Sequence, residues 1–182
     1  MDFKKLKSGS DVRGVAMGEN AVLTPAVAQT LGRAFVAFLS QKLLKKPEQL
    51  TIAVGRDSRL SGPQLLGAVL EGITTTGATA ADYEMCTTPS MYMAILTEGF
   101  QPDASIMITA SHHPWYKNGF KLITREGGLE GKDITEILTA AINVTLPQRL
   151  VKPCDFLSIY TERLAKMVRE RLEDDALRPL LG

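Results

Sequence analysis

Apolar positions along the chain switch repeatedly between two periods. After Thr24-Pro25, residues Val27, Leu31, Ala34, Phe35 and Phe38 recur three or four apart. That spacing predicts a helix with Thr24 as its N-cap and Pro25 in its first turn. Lys45-Lys46-Pro47 closes it. The short apolar run Thr51 to Val54 predicts a buried strand that leaves through Gly55-Arg56-Asp57. Ser61-Gly62-Pro63 opens a second helix with Leu66, Val69, Leu70 and Ile73 on one face, and Gly77 stops it. Ala78 to Met85 reads as a strand. Thr88-Pro89 starts a third helix, closed by Gly99. Ala104 to Thr109 and Gly119 to Thr124 read as strands, with a turn at Arg125-Glu126-Gly127-Gly128. Asp133 to Val144 reads as a fourth helix, and Ser10 to Ala16 as a short strand or loop carrying Arg13-Gly14.

This order predicts a three-layer α/β/α domain around a mixed, mostly parallel sheet. The interval from Thr109 to Gly119 is too short for a helical crossover, so those two strands should be antiparallel neighbours. Pro147 to Pro153 reads as a linker. Beyond it, Phe156, Ile159, Tyr160, Leu164, Met167, Val168 and Leu172 share one face of a long, isolated C-terminal helix. The expected division is residues 1–146 as one domain, and 147–182 as linker plus the first helix of a truncated second unit. An apolar face without its partner is also expected to favour self-association.

Composition narrows the classes. The 182 residues are 45% hydrophobic and 23% charged, as in ordinary globular proteins, and the net charge of +1 gives no bulk attraction to nucleic acid. Lys4, Lys5 and Lys7 are not followed by the apolar run of a signal peptide. No stretch approaches the ~20 apolar residues of a membrane span, and the expected location is cytoplasmic. Cys86 and Cys154 match no metal or redox spacing and read as reduced thiols.

The chemistry concentrates in Thr109-Ala110-Ser111-His112-His113-Pro114, directly after the apolar run Ser105-Ile106-Met107-Ile108. A hydroxyl and an imidazole thus lie at the carboxyl end of a buried strand, the edge where α/β sheets bind ligands. Asn118-Gly119-Phe120-Lys121 brings an amine to the next strand. Together these groups suit chemistry on an anion, with phosphate the leading candidate. A Ser-His hydrolase fits less well, because G-x-S-x-G is absent. His112 and His113, as neighbours on an extended chain, would point apart and so would not share a metal. Arg59 is a phosphate-contact candidate, since a guanidinium fork matches phosphate oxygens. Asp57 reads as a structural partner of Arg56. Asp82 and Glu84 share one strand face with nothing else to suggest a metal.

Taken jointly, Asp11-Val12-Arg13-Gly14, Gly55-Arg56-Asp57-Ser58-Arg59-Leu60-Ser61-Gly62, Thr87-Thr88-Pro89, Thr109 to Pro114 and Asn118 to Lys121 resemble the first domain of the α-D-phosphohexomutases, over roughly residues 8 to 145. One departure is His113, where that family usually has asparagine. The resemblance implies an isomerase working by phosphoryl transfer between the 1- and 6-positions of a hexose phosphate. Ser111 would carry the phosphoryl group through a bisphosphate intermediate, with a hexose bisphosphate as activator. Lys121 and Arg13 would serve as general base and charge stabiliser, and His112 would help position the site. Arg59, His113 and Asn118 would contact phosphate. Ser111, through its phosphate, would be the one ligand in this chain to Mg²⁺. The other ligands would come from an Asp-x-Asp-x-Asp loop of a second domain, and this sequence contains no Asp-x-Asp. The sugar-recognition and distal phosphate loops of the family's later domains are likewise without counterpart. On this reading the chain's partners are a hexose phosphate (glucose, mannose or glucosamine) and further domains of the same polypeptide. The fragment alone is expected to be inactive. Two other readings are a free-standing sugar-phosphate-binding module and a subunit completed by another chain.

Overall fold

A computed structural model describes residues 3–141 and 152–172. In chain order the strands are β1 (Lys7–Ser8), β2 (Asp11–Val15), β3 (Thr51–Arg56), β4 (Thr79–Met85), β5 (Ala104–Ile108), β6 (Lys117–Thr124), β7 (Gly127–Gly128) and β8 (Lys152–Pro153). The helices are α1 (Pro25–Leu43), α2 (Gly62–Thr74), α3 (Thr88–Leu96), α4 (Gly131–Ala140) and α5 (Phe156–Leu172). All strands join one sheet in the order β1-β2-β6-β5-β3-β4-β8, with β7 pairing β6. The sheet is mixed, as expected, but less parallel than expected. The β3–β4, β3–β5 and β4–β8 pairs are parallel, while β1–β2, β2–β6, β5–β6 and β6–β7 are antiparallel. The short step between β5 and β6 is an antiparallel hairpin, as its length requires.

Period-two burial builds the layers. Val12, Ile52, Val54, Ile106, Ile108, Phe120 and Leu122 point into a core covered by α1, α2 and α4. Their strand neighbours Ala53, Met107 and Ile123 point the other way, onto α3 and the start of α5. Thr24 caps α1 by accepting the Val27 N–H. Helices α1 and α2 pack in close contact because Gly32 and Gly72 face the partner backbone. A Cβ on Gly32 would lie 2.7 Å from the Val69 carbonyl, and one on Gly72 would collide with that of Gln29.

Several expected boundaries shift. Strand β6 begins at Lys117, two residues early, and α4 begins at Gly131, while Val144 lies outside the described residues. The expected linker lies mostly outside them too, but Lys152–Pro153 pairs with β4 as an edge strand. The C-terminal helix is present and docked at its start. Phe156 is buried against Phe100 and Tyr83, at centroid distances of 4.8 and 5.5 Å, and Arg163 donates to Thr97 Oγ1. Further along, Leu164, Met167 and Val168 are exposed. Asp82 and Glu84 sit at an irregularity of β4, where Glu84 has φ 50° and donates its N–H to Asp82 Oδ1.

Candidate functional site

Strand register decides which side chains meet. Val12 faces the α1 side, so Asp11 and Arg13 project from the opposite face. Phe120 and Leu122 likewise send Lys121 to that face, and Ile108 sends Thr109 there. Val12 pairs with Phe120, Arg13 with Gly119, and Met107 with Lys121. The result is one polar patch spanning β2, β6 and β5.

Its centre is a carboxylate. Asp11 Oδ2 accepts from Arg13 Nη2 at 2.7 Å and from Lys121 Nζ at 2.8 Å. Asp11 is 8% exposed, so the shared ion pair is largely shielded from water. Arg13 Nη1 reaches the Ala110 carbonyl at 3.4 Å, tying the cluster to the residue before Ser111. Gly119 makes this geometry feasible: a Cβ there would lie 2.9 Å from Arg13 Cγ and 3.0 Å from the Thr109 carbonyl oxygen, and would collide with that of Val12. Beside Asp11 and Lys121 lies a cavity of about 390 Å³ between the start of α3 (Thr88, Pro89, Tyr92) and Gly127-Gly128. That is ligand-sized.

Ser111 stands at the tip of the β5–β6 hairpin, exposed, with φ 55°. Its N–H donates to Thr109 Oγ1 at 2.9 Å, and Thr109 Oγ1 donates to Asp57 Oδ2 at 2.7 Å. The left-handed turn at Ser111 breaks the extended chain that the sequence suggested. His112 and His113 therefore stack, with centroids 4.9 Å apart, instead of pointing apart. Partial desolvation, reinforced by the charges of Arg13, His112, Lys117 and Arg59, holds His113 below the ordinary imidazole range.

Two expected phosphate contacts take other roles. Arg59 is committed to protein: it pairs with Asp57 and donates to four hairpin carbonyls, leaving no N–H for a ligand. Asn118 is fully buried, its amide donating to Ser61 Oγ and its carbonyl accepting from the Gly119 N–H. Asp57 is structural, as expected, but its partner is Arg59, while Arg56 donates to the Asp57 carbonyl. Cys86 lies apart from the site, buried against Met107, and burial pushes its thiol up to about 11.

A divalent ion does not fit the described residues alone. No group of three His, Cys, Asp or Glu side chains among them is placed to hold one. The nearest carboxylates, Asp11 and Asp57, are occupied by Arg13, Lys121, Arg59 and Thr109. Ser111 offers an exposed hydroxyl at the hairpin tip. Sequence reading missed Asp11. Its signal is an acid two positions before Arg13, hence on the same strand face.

The family model for the phosphoglucomutase/phosphomannomutase alpha/beta/alpha domain I matches residues 4–148. The chain belongs to that family. It is 38% identical over 175 residues to a phosphoglucosamine mutase of an Exiguobacterium species, covering 92% of this chain and 37% of that protein. A phosphoglucomutase of Neisseria gonorrhoeae is 37% identical over 128 residues, or 70% of this chain and 26% of the relative. The crystal structure of a phosphoglucomutase/phosphomannomutase family protein from Burkholderia thailandensis superposes with a TM-score of 0.77 at 28% identity, covering 91% of this chain and 36% of that one. The chain thus spans about a third of the length of the relatives it matches. Domain I of the family accounts for the three-layer fold and the mixed sheet. Among the described residues, no helix is long and apolar enough to cross a membrane.

Proposed function

We propose that this chain is the phosphoserine domain of a hexose-phosphate mutase. The observation that carries the reading is an exposed Ser111 directly after Ala110, whose carbonyl accepts from Arg13 of the Arg13–Asp11–Lys121 cluster. In the forward half-reaction the P–Oγ bond of phosphorylated Ser111 breaks. A bond forms from phosphorus to a hydroxyl oxygen of the bound sugar monophosphate; Lys121 Nζ, acting in its neutral form, takes that hydroxyl's proton and passes it to the departing Ser111 Oγ. In the second half the other phosphate of the resulting bisphosphate passes to Ser111 Oγ, and the proton returns to the sugar oxygen it leaves. Arg13 offsets charge on the transferred group, and His112 and His113 line the hairpin that presents it. Phosphoserine carries about −1.5 to −2 charges, so the Arg13 guanidinium stabilises it electrostatically.

Mg²⁺ would supply further charge neutralisation to the transferred group, held here through the phosphate on Ser111 alone; its remaining ligands would come from outside the described residues. Glucose, mannose and glucosamine phosphates are the candidate substrates, since the relatives' names divide between phosphoglucosamine mutase and phosphoglucomutase and the matching family model also names phosphomannomutase. The 182-residue chain by itself should show no turnover in a coupled assay with glucose 1-phosphate or mannose 1-phosphate plus a bisphosphate. Phosphoryl transfer depends on positioning and metal charge, and the carboxylates near Ser111 are already paired.

The deciding experiment uses protein expressed from the complete open reading frame. After incubation with a hexose 1,6-bisphosphate, peptide mass spectrometry should find phosphate on Ser111, and Ser111→Ala should lose turnover by orders of magnitude. Phosphate on another residue, with Ser111 unmodified, refutes the assignment.

A further inference from the structure

We propose that Arg59 is the positioning residue that holds Ser111 in its left-handed conformation. The proposal rests on the reading of Ser111 as phosphoacceptor and deepens it. Arg59 lies between β3 and α2, far from Ser111 in sequence, and its side chain is only 11% exposed. All five guanidinium N–H groups are used. Nε donates to Asp57 Oδ2 at 3.1 Å. Nη1 donates to the carbonyls of Pro114 at 2.8 Å and Lys117 at 3.0 Å. Nη2 donates to those of Ser111 at 2.7 Å and His113 at 2.8 Å. One planar cation thus gathers four carbonyls of one hairpin.

The opposite side of Ser111 is held from the same origin. Its N–H donates to Thr109 Oγ1, which donates to Asp57 Oδ2, and Asp57 also accepts the Arg59 N–H and Nε–H. Both backbone polar groups of Ser111 are therefore tied to the loop after β3. Between those ties lies φ 55°, a conformation that a side chain with a Cβ disfavours and that the surroundings must over-determine. Charge-assisted bonds are strong enough to do so. A lysine at 59 would keep the charge but lose the fork.

The test is a double-mutant cycle read by amide hydrogen exchange on the 182-residue chain. It needs no phosphate on Ser111, so its outcome is separable from the mass-spectrometric test of function. The reporters are the amides of Ser111, His113 and Lys117, which donate to Thr109 Oγ1, the Ala110 carbonyl and the Pro114 carbonyl. Arg59→Lys should accelerate their exchange about tenfold while amides of β3 and α2 are unchanged. In a Ser111→Gly background, where φ 55° carries no penalty, the same substitution should accelerate them about threefold or less. Equal acceleration in both backgrounds, no acceleration, or acceleration spread evenly over the domain overturns the proposal. If Arg59→Lys does not fold, the comparison passes to Ser111→Gly and Ser111→Ala. Strain held at this residue requires the glycine variant to melt higher, and an alanine variant that melts at or above it overturns the proposal.

Discussion

Gly119→Ala tests whether the space that glycine leaves is what lets Arg13 cross β6. The added Cβ would lie 2.9 Å from Arg13 Cγ and 3.0 Å from the Thr109 carbonyl oxygen, and would collide with the Val12 carbonyl. Two of these three neighbours are backbone of paired strands, so no rotamer change relieves them. Overpacking of this kind costs about 1–3 kcal/mol, and the entropy saved by replacing glycine returns about 0.5 kcal/mol or a little more. The net loss is about 0.5–2.5 kcal/mol, which lowers Tm by about 1–10 °C in a chain of this size. Gly67→Ala supplies the opposite sign. It lies in α2 with nothing within 4 Å of its would-be Cβ, and should gain about 0.5–1 kcal/mol. Calorimetry on the three proteins reads both effects. Titration with inorganic phosphate, followed by NMR shifts of the hairpin amides, then reports whether Arg13 has been displaced. Gly119→Ala melting at or above the parent, or matching Gly67→Ala, refutes the steric reasoning. A destabilised variant with unaltered phosphate binding refutes the link to Arg13.

Two further outcomes follow from the same contacts. The His113 imidazole, followed by NMR, should titrate below its ordinary 6.5, because desolvation and then the Arg13, His112, Lys117 and Arg59 charges disfavour the cation. With the folded value depressed, the unfolded chain binds more protons, so this residue's contribution to stability is present above 6.5 and lost as pH falls through the folded value; inorganic phosphate at the hairpin should raise it, and a ligand-free titration at or above 6.5 contradicts the geometry. Phe156→Ala should release α5 without unfolding the domain, because Phe156 is buried against Phe100 and Tyr83 while Leu164, Met167 and Val168 are exposed; a 17-residue helix is marginal alone, so ellipticity at 222 nm should fall and proteolysis should cut within α5, whereas unchanged protection there shows that Phe156 is not its main anchor.

Elements with a dense local signal were legible in the sequence. Thr24-Pro25 marks the α1 start because the cap is a contact between neighbours, and the apolar run before Thr109 marks β5 because burial on both faces shows in composition. The hairpin was legible from chain length alone. Strands β1, β7 and β8 were not, since two residues carry no period and their existence is decided by the strands they join. Among candidate site residues, Ser111, Lys121 and Arg13 stand out through motif context. The role of Arg59 did not, because its partners are carbonyls, which every residue has. Asp11 was overlooked because its two partners meet it only through the β2–β6 register.

Ser111 follows a strand that turns back into another strand instead of entering a helix. A phosphate loop at a strand-to-helix turn draws part of its attraction from main-chain dipoles, which no single substitution removes. At the tip of β5–β6 any positive field has to be assembled from side chains, with the Arg13 guanidinium reaching the Ala110 carbonyl as its nearest contributor. Such a field is divisible: each contributor can be lost, gained or titrated separately, and salt screens the exposed ones. If Ser111 carries a phosphoryl group as proposed, holding it tightly enough to keep it, yet loosely enough to give it away, is then a matter of adjusting a few side chains while the backbone stays as it is.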